Sequence, residues 1–251
     1  EKPEILTFHF DIPKREYIAE AQRLGIYVGI TATSVEEAHL IQESGADFIV
    51  AQGVEAGGHR GMFNAAWRNL HGTLEQEATA EDLPTVELVT QLCRGTNPVS
   101  IPIVAAGGIM TGRDIFTAIQ AGAVAVQLGT AFLPCLESTA SAEHKSSVLR
   151  VDGPETTTTT KFSGRPARGI RNEFIDRMES AFALNFPLQN TLTSLIRSQA
   201  VRDHNNERQS LWAGSAYRKA GERASRTSGG SAYLSVGELM EQLKQEYHDC
   251  L

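Results

Sequence analysis

The feature that most restricts this chain is an alternation, through residues 4–132, of short apolar runs with amphipathic stretches. Short apolar runs bounded by turn residues read as strands. Apolar residues spaced three or four apart read as one face of a helix. Strands are expected at Ile5–Phe10, Ile26–Thr31, Ala46–Ala51, Ile101–Ala106 and Ala123–Leu128. The intervening stretches carry helix signals. Lys14–Leu24 places Tyr17, Ile18, Ala21 and Leu24 on one face, and Ser34 with Glu37 forms a capping-box pattern ahead of Val35, Ala38 and Ile41. Pro84 stands at a favoured first helical position before Cys93, and Thr111 precedes a helix whose Ile115, Ala118 and Ile119 should face the sheet. Gly25, Gly45 and Gly122 mark helix ends. Strand–helix alternation of this kind means parallel β/α architecture.

Beyond Leu133 the pattern changes. Glu137–Arg150, Asn172–Leu184 and Val236–Tyr247 read as helices, Thr156–Thr160 as linker or extended chain, and Arg218–Ser231 as a mobile loop. The Arg165–Arg171 segment is expected at the surface or a subunit contact. With 251 residues and 41% hydrophobic content, the chain can bury a substantial core. Its net charge of -7 argues against nonspecific nucleic-acid binding, which needs clustered Lys and Arg. The sequence holds no apolar run of membrane-spanning length, and the polar opening Glu1-Lys2-Pro3-Glu4 does not resemble a signal peptide. Cys93, Cys135 and Cys250 are dispersed, which fits reduced thiols in a cytoplasmic protein rather than a zinc site.

Three glycine-rich segments each follow an expected strand: Ala51–Gly61, Ala105–Ile109 and Gln127–Ala131. Active sites of β/α barrels lie where strands end, and glycines there let backbone N–H groups approach phosphate oxygens. His59, between Gly58 and Arg60, is the candidate acid–base group, with a loop histidine bonded to backbone as the bland alternative. His9 could contact a ligand or be structural, and the other histidines show no metal-ligand spacing. Glu55 either pairs with Arg60 or is solvated.

AQGVEAGGHRG (Ala51–Gly61) closely resembles the signature of nitronate monooxygenases, formerly 2-nitropropane dioxygenases. Ile101–Phe132 resembles that family's phosphate-binding half, and the likeness extends to PEILTFHF, KFSGRPARGIRN (Lys161–Asn172) and Trp212-Ala213-Gly214. The resemblance implies a flavoenzyme that binds FMN through Gln52, Gly57, Gly108, Gln127, Leu128, Gly129 and Thr130, with His59 as the catalytic residue. The implied reaction is oxidation of alkyl nitronates by O2 to a carbonyl compound and nitrite. His59 would meet the anionic nitro group or remove the α-proton of a nitroalkane. No metal is required. Partners would be the nitronate or nitroalkane and O2, with no nucleic acid and no membrane, and homo-oligomerisation left open.

The fold implied is α/β, a TIM-type (β/α)8 barrel. Aligned by motif, the five strands correspond to the fourth to eighth, so three β/α units and the initiator methionine are expected to be missing. The expected division is a partial barrel over 1–135 and a mainly helical region over 136–251. Weak or absent FMN binding by the chain as it stands follows from that expectation, as does a surface excursion at Asn64–Leu83. Rival readings are an FMN-dependent NAD(P)H:quinone reductase, an enoyl-acyl-carrier-protein reductase, an inactive fragment and a sugar-phosphate barrel enzyme.

Overall fold

The computed structural model describes residues 2–63, 82–226 and 233–251. The expected excursion after the histidine loop falls almost wholly on 64–81, outside the described residues. Two compact units share the chain. The first comprises residues 1–54, 61–107 and 116–127, and the second 55–60, 108–115 and 128–251.

The first unit is built on a parallel sheet. Strands β1 (Ile5–Phe8), β2 (Tyr27–Ala32), β3 (Phe48–Gln52), β5 (Ile103–Ala106) and β6 (Ala125–Gln127) are hydrogen-bonded in that order. The pairings Phe8↔Ile30, Ile30↔Ile49, Val50↔Val104 and Ala105↔Val126 fix the register. The central strands are buried on both faces, which is why β2 and β3 read as nearly continuous apolar runs. Helices α1 (Arg15–Arg23), α2 (Val35–Ser44) and α3 (Thr85–Arg94) bury Ile18, Ala38, Ile41, Leu88 and Leu92. Each of the Ile and Leu side chains stabilises the unit by roughly 1.5–3 kcal/mol.

Several local readings need amendment. On α1 only Ile18 and Ala21 are buried; Tyr17 and Leu24 lie at the margins of the stripe and are exposed. Pro84 is the residue before α3 rather than its first member. Ser34 accepts from the Glu37 N–H at 3.2 Å, but the Glu37 carboxylate takes the Thr33 N–H at 2.6 Å and the Phe63 N–H at 2.6 Å. Glu37 thus ties a following loop to the helix start. The sheet's outer strands are open: β1 is exposed along Ile5–Thr7, and Ala125 and Gln127 of β6 are exposed.

The second unit combines helices with an antiparallel ribbon. Strands β4 (Gly58–His59), β8 (Ala167–Ile170) and β7 (Thr156–Thr159) pair in that order. The threonine run is therefore extended chain, as β-branched side chains favour. Helices α5 (Ala142–Val148), α6 (Glu173–Met178), α7 (Leu188–Arg202), α8 (Lys219–Arg226) and α9 (Val236–His248) follow. Helix α4 (Gly112–Ala121) begins in a segment of the second unit and ends in one of the first; its Ile115 packs against the second unit's core. That core joins Met110, Val148, Leu211, Tyr217, Leu239 and Leu243.

Three further expectations change here. Residues 219–226 of the expected mobile loop are helical, and 227–231 lie outside the described residues. Arg165 is only 5% exposed and Ala167–Ile170 is a largely buried strand, so of this segment only Arg171 is exposed and most of it is interior structure. Glu137–Arg150 is helical only over 142–148, because Ser141 caps the helix by accepting from the His144 N–H at 3.1 Å. Among the described residues no helix is long and apolar enough to cross a membrane.

Candidate active site

In the first unit, Gln52 ends β3 and is buried; its side-chain oxygen accepts the Gly61 N–H at 2.9 Å. That bond ties the far end of the histidine loop back to the strand from which the loop leaves. A Cβ on Gly61 would lie 2.6 Å from Thr31 Cγ2, so glycine is required there by close packing. His9 contacts the Thr31 hydroxyl at 3.2 Å through Nδ1, a structural use of that histidine. Gln127, at the end of β6, is exposed.

In the second unit, His59 is placed by backbone pairing. Gly58 takes φ +77°, and the short strand β4 sets His59 opposite Ala167. The adjacent Arg60 N–H donates to the Pro166 carbonyl at 2.9 Å. Half-buried, His59 holds its Nε2 2.7 Å from the Ser163 hydroxyl. Its ring lies 5.6 Å from that of Trp212 and 6.4 Å from that of Phe186. Trp212 is fixed in turn by an edge contact with Phe162 at 5.5 Å, while Phe162 stacks on Phe174 at 4.4 Å. His144 Nε2 lies 3.0 Å from the Trp212 carbonyl. Burial lowers the His144 pKa and this carbonyl contact opposes the shift, so the imidazole is held neutral. The described surroundings of His59 thus include a polar contact at Ser163 and two aromatic rings.

Three of the expected FMN-binding residues, Gly57, Gly108 and Thr130, converge within the same unit. A Cβ on Gly57 would lie 2.5 Å from the Gly214 nitrogen, and one on Gly108 would lie 2.9 Å from Glu55 Cβ. Thr130 Oγ1 accepts the Gly214 N–H at 3.0 Å, and the Glu55 carbonyl accepts the Ser215 N–H at 3.0 Å. The loop 55–57, Gly108, Thr130 and Gly214 therefore form one constellation. Gly57 and Gly108 are demanded by packing as well as by any ligand. Gly108 also has φ +67°, a conformation that favours glycine. Among the described residues, its chain neighbours aside, no atom lies within 4 Å of where a Cβ on Gly129 would stand. The Leu128 side chain packs against the unit's apolar core.

The backbone amides at the start of α4 have partners within the protein: the Met110 and Thr111 N–H groups donate to Asp114 at 3.0 Å each, and Gly112 N–H donates to Glu246 at 2.7 Å. Lys219 pairs with Asp114 at 2.8 Å and Arg223 with Glu246 at 3.0 Å. A phosphate at this loop would rely on earlier backbone, near Gly108, and on the Gly129–Thr130 turn. The positive φ at Gly108, the missing side chain of Gly129 and the Thr130 hydroxyl suit a phosphate group, so these residues fit such a cofactor. Among the described residues no cluster of His, Cys, Asp and Glu could hold a metal.

Sequence reading missed Ser163 and Phe186 as neighbours of His59. Ser163 does sit in a recognised motif, between buried Phe162 and a Gly164 with φ +87°, but spacing gives no means of pairing it with a residue 104 positions away.

The family model described as nitronate monooxygenase matches residues 1–246. A "Probable nitronate monooxygenase" of Bacillus subtilis is 36% identical over 247 residues, 98% of this chain and 64% of that protein. A "Nitronate monooxygenase" of Pseudomonas aeruginosa is 38% identical over 250 residues, again covering 98% of this chain and 64% of that protein. Among solved structures, nitroalkane oxidase from Streptomyces ansochromogenes has TM-score 0.83 and 35% identity, covering 98% of this chain and 64% of that one. FabK from Thermotoga maritima has TM-score 0.72 and 27% identity, covering 99% and 68%. The chain thus spans 64% of the length of the curated relatives it matches. With its motifs, its sheet and these similarities in agreement, the chain belongs to the nitronate monooxygenase family.

Proposed function

We propose that this chain carries the histidine and phosphate-loop part of an FMN-dependent, cytoplasmic nitronate monooxygenase, which oxidises alkyl nitronates with O2 to a carbonyl compound and nitrite. The observation that carries this reading is His59, set on a glycine-rich β-paired loop between Ser163 and an aromatic wall. Protonated His59 would pair with the anionic nitro oxygens of a nitronate. Neutral His59 would take the α-proton of a nitroalkane. Trp212 and Phe186 would restrict water around the imidazole and the reacting carbon. In this proposal FMN supplies the redox chemistry. Gln52 and Gly57 would contact it, Gly108 would bind its phosphate, and Gln127, Leu128, Gly129 and Thr130 would form the second part of the phosphate cradle. The five parallel strands would be five of the eight in a (β/α)8 barrel, a reading supported by the exposed outer strands β1 and β6.

The test is His59→Asn in flavin-loaded protein. Turnover on a nitroalkane is expected to fall by about 100-fold or more, the usual contribution of a general base. Unchanged turnover on both nitroalkane and nitronate would remove His59 from the mechanism. One rival, carried over from the sequence motifs, is an FMN-dependent reductase of the same superfamily. Anaerobic flavin reduction by NAD(P)H but not by a nitronate would establish it. Absence of flavin bands after incubation with FMN and removal of the excess would instead mean that the chain alone does not retain the cofactor.

A further inference from the structure

The Ser163 hydroxyl has one proton and three polar neighbours. His59 Nε2 lies 2.7 Å away, the Arg165 carbonyl oxygen 3.2 Å, and the Arg165 N–H donates to the hydroxyl oxygen at 3.3 Å. A carbonyl oxygen can only accept, so its contact with the hydroxyl is favourable when the Ser163 proton points at it. The Ser163 oxygen then has lone pairs for two donors, the Arg165 N–H and an N–H on His59 Nε2. Ser163 is 1% exposed, so water does not compete for these positions. The short loop that makes this arrangement depends on Gly164, whose φ is +87° and where a Cβ would lie 2.3 Å from the Leu184 carbonyl oxygen.

We propose that Ser163 is a positioning residue that fixes the His59 tautomer with its proton on Nε2 and its basic lone pair on Nδ1. This inference rests on the reading of His59 as the acid–base group. The same geometry serves both protonation states. When Nδ1 takes a proton from the α-carbon of a nitroalkane, the electron pair of the broken C–H bond stays on the nitronate and the imidazole becomes a cation. The Nε2–H bond to Ser163 then becomes charge-assisted without any group having to turn. An anionic nitronate has already lost that proton, so its oxidation would depend much less on the tautomer.

The experiment is NMR of the 251-residue chain with 15N-labelled histidine, His59 being assigned by its loss in His59→Gln. Above the imidazole titration, wild type is expected to show a protonated Nε2 whose N–H signal survives exchange with water. In Ser163→Ala that signal is lost to exchange or its nitrogen shift moves toward a tautomer mixture. A wild-type His59 protonated on Nδ1, or an Nε2–H signal unchanged in Ser163→Ala, would overturn the proposal. Flavin-loaded protein gives a second readout. Ser163→Ala should lower kcat on a nitroalkane by roughly 10-fold, within the range seen for groups that orient a functional ligand, while the nitronate rate changes by less than about 2-fold. Equal losses on both substrates would also overturn it. If His59→Asn leaves both rates intact, the proposed function falls while the NMR result still decides the hydrogen-bond claim.

Discussion

Each of the two units is stabilised internally by its own balance of packing and polar contacts. The first places aliphatic side chains of β2, β3 and β5 against α2 and α3, joins its strands by ladder hydrogen bonds, and adds side-chain ties such as Glu37 to the Phe63 N–H and Gln52 to the Gly61 N–H. The second fastens distant segments with single polar groups: Tyr217 to the Pro154 carbonyl, His144 to the Trp212 carbonyl, Asn172 to the Gln209 carbonyl, and Glu246 to the start of α4. A unit built on area loses stability in proportion to the volume removed. One built on fastenings loses it when a donor disappears and strands its acceptor. The candidate histidine belongs to the second kind, where orientation is set by hydrogen bonds.

The largest expected effect tests the first half of that contrast. Ile49 lies in β3, fully buried between β2 and β5. Ile49→Ala should cost about 2–5 kcal/mol in urea unfolding, from lost burial and the cavity left behind. Ile49→Val should cost about 0.5–1.5 kcal/mol. A loss for Ile49→Ala no larger than that for Ile49→Val would mean that the sheet is not held by its packing.

Tyr217→Phe is the matching probe of the second unit. It keeps the ring, which is 1% exposed, and removes only the hydroxyl that donates to Pro154 at 2.6 Å. The stranded carbonyl should cost about 1–3 kcal/mol. A neutral substitution would show that this unit, too, is held mainly by area.

A smaller effect is expected at His144, and it depends on pH. Burial lowers its pKa, so the folded state favours the neutral ring and binds protons less readily than the unfolded chain. Its contribution is full above the unfolded value, about 6.5, and is lost as pH falls through the lower folded value. Wild type should therefore lose Tm from pH 7 to pH 5 more steeply than His144→Gln, whose amide can still donate to Trp212. Parallel pH curves would remove His144 from the account.

The contrast also explains what the sequence could disclose. Five parallel strands, their helices and most stop signals were readable because burial on both faces of a sheet writes a local pattern into residues 26–32, 46–52 and 101–106. Ends of elements shifted by one to three residues, as at Ile103, where no pattern distinguishes a strand from its approach. The second unit was less legible. Thr156–Thr159 becomes a strand only because Ala167–Ile170 is there to pair with it, and Lys219–Arg226 has a polar composition that resembles a loop. His59 was identifiable from its glycine neighbours, but Ser163 and Phe186 reach it by folding alone.

The smallest effect concerns the start of α4, where the two kinds of construction can be weighed against each other. Asp114 loses hydration on burial, which raises its pKa. The hydrogen bond from Lys219, those from the Met110 N–H and Thr111, and the Lys219 charge together outweigh that loss and bring the pKa below the ordinary value. A lowered folded pKa means that the stabilisation is complete above the unfolded value of about 3.9 and disappears as pH falls through the folded one. Lys219 is 39% exposed, so solvent screens the pair, and Lys219→Met should cost only about 0.2–1 kcal/mol at neutral pH. Asp114→Asn should cost more, because it weakens acceptance from two backbone N–H groups as well as the ion pair. The gap between wild type and Asp114→Asn should close as the pH is lowered below about 4. Added salt should erase most of the Lys219→Met effect but little of the Asp114→Asn effect. If salt erased both equally, the carboxylate would be acting only as a charge, and the second unit's fastening of α4 would be electrostatic instead of directional.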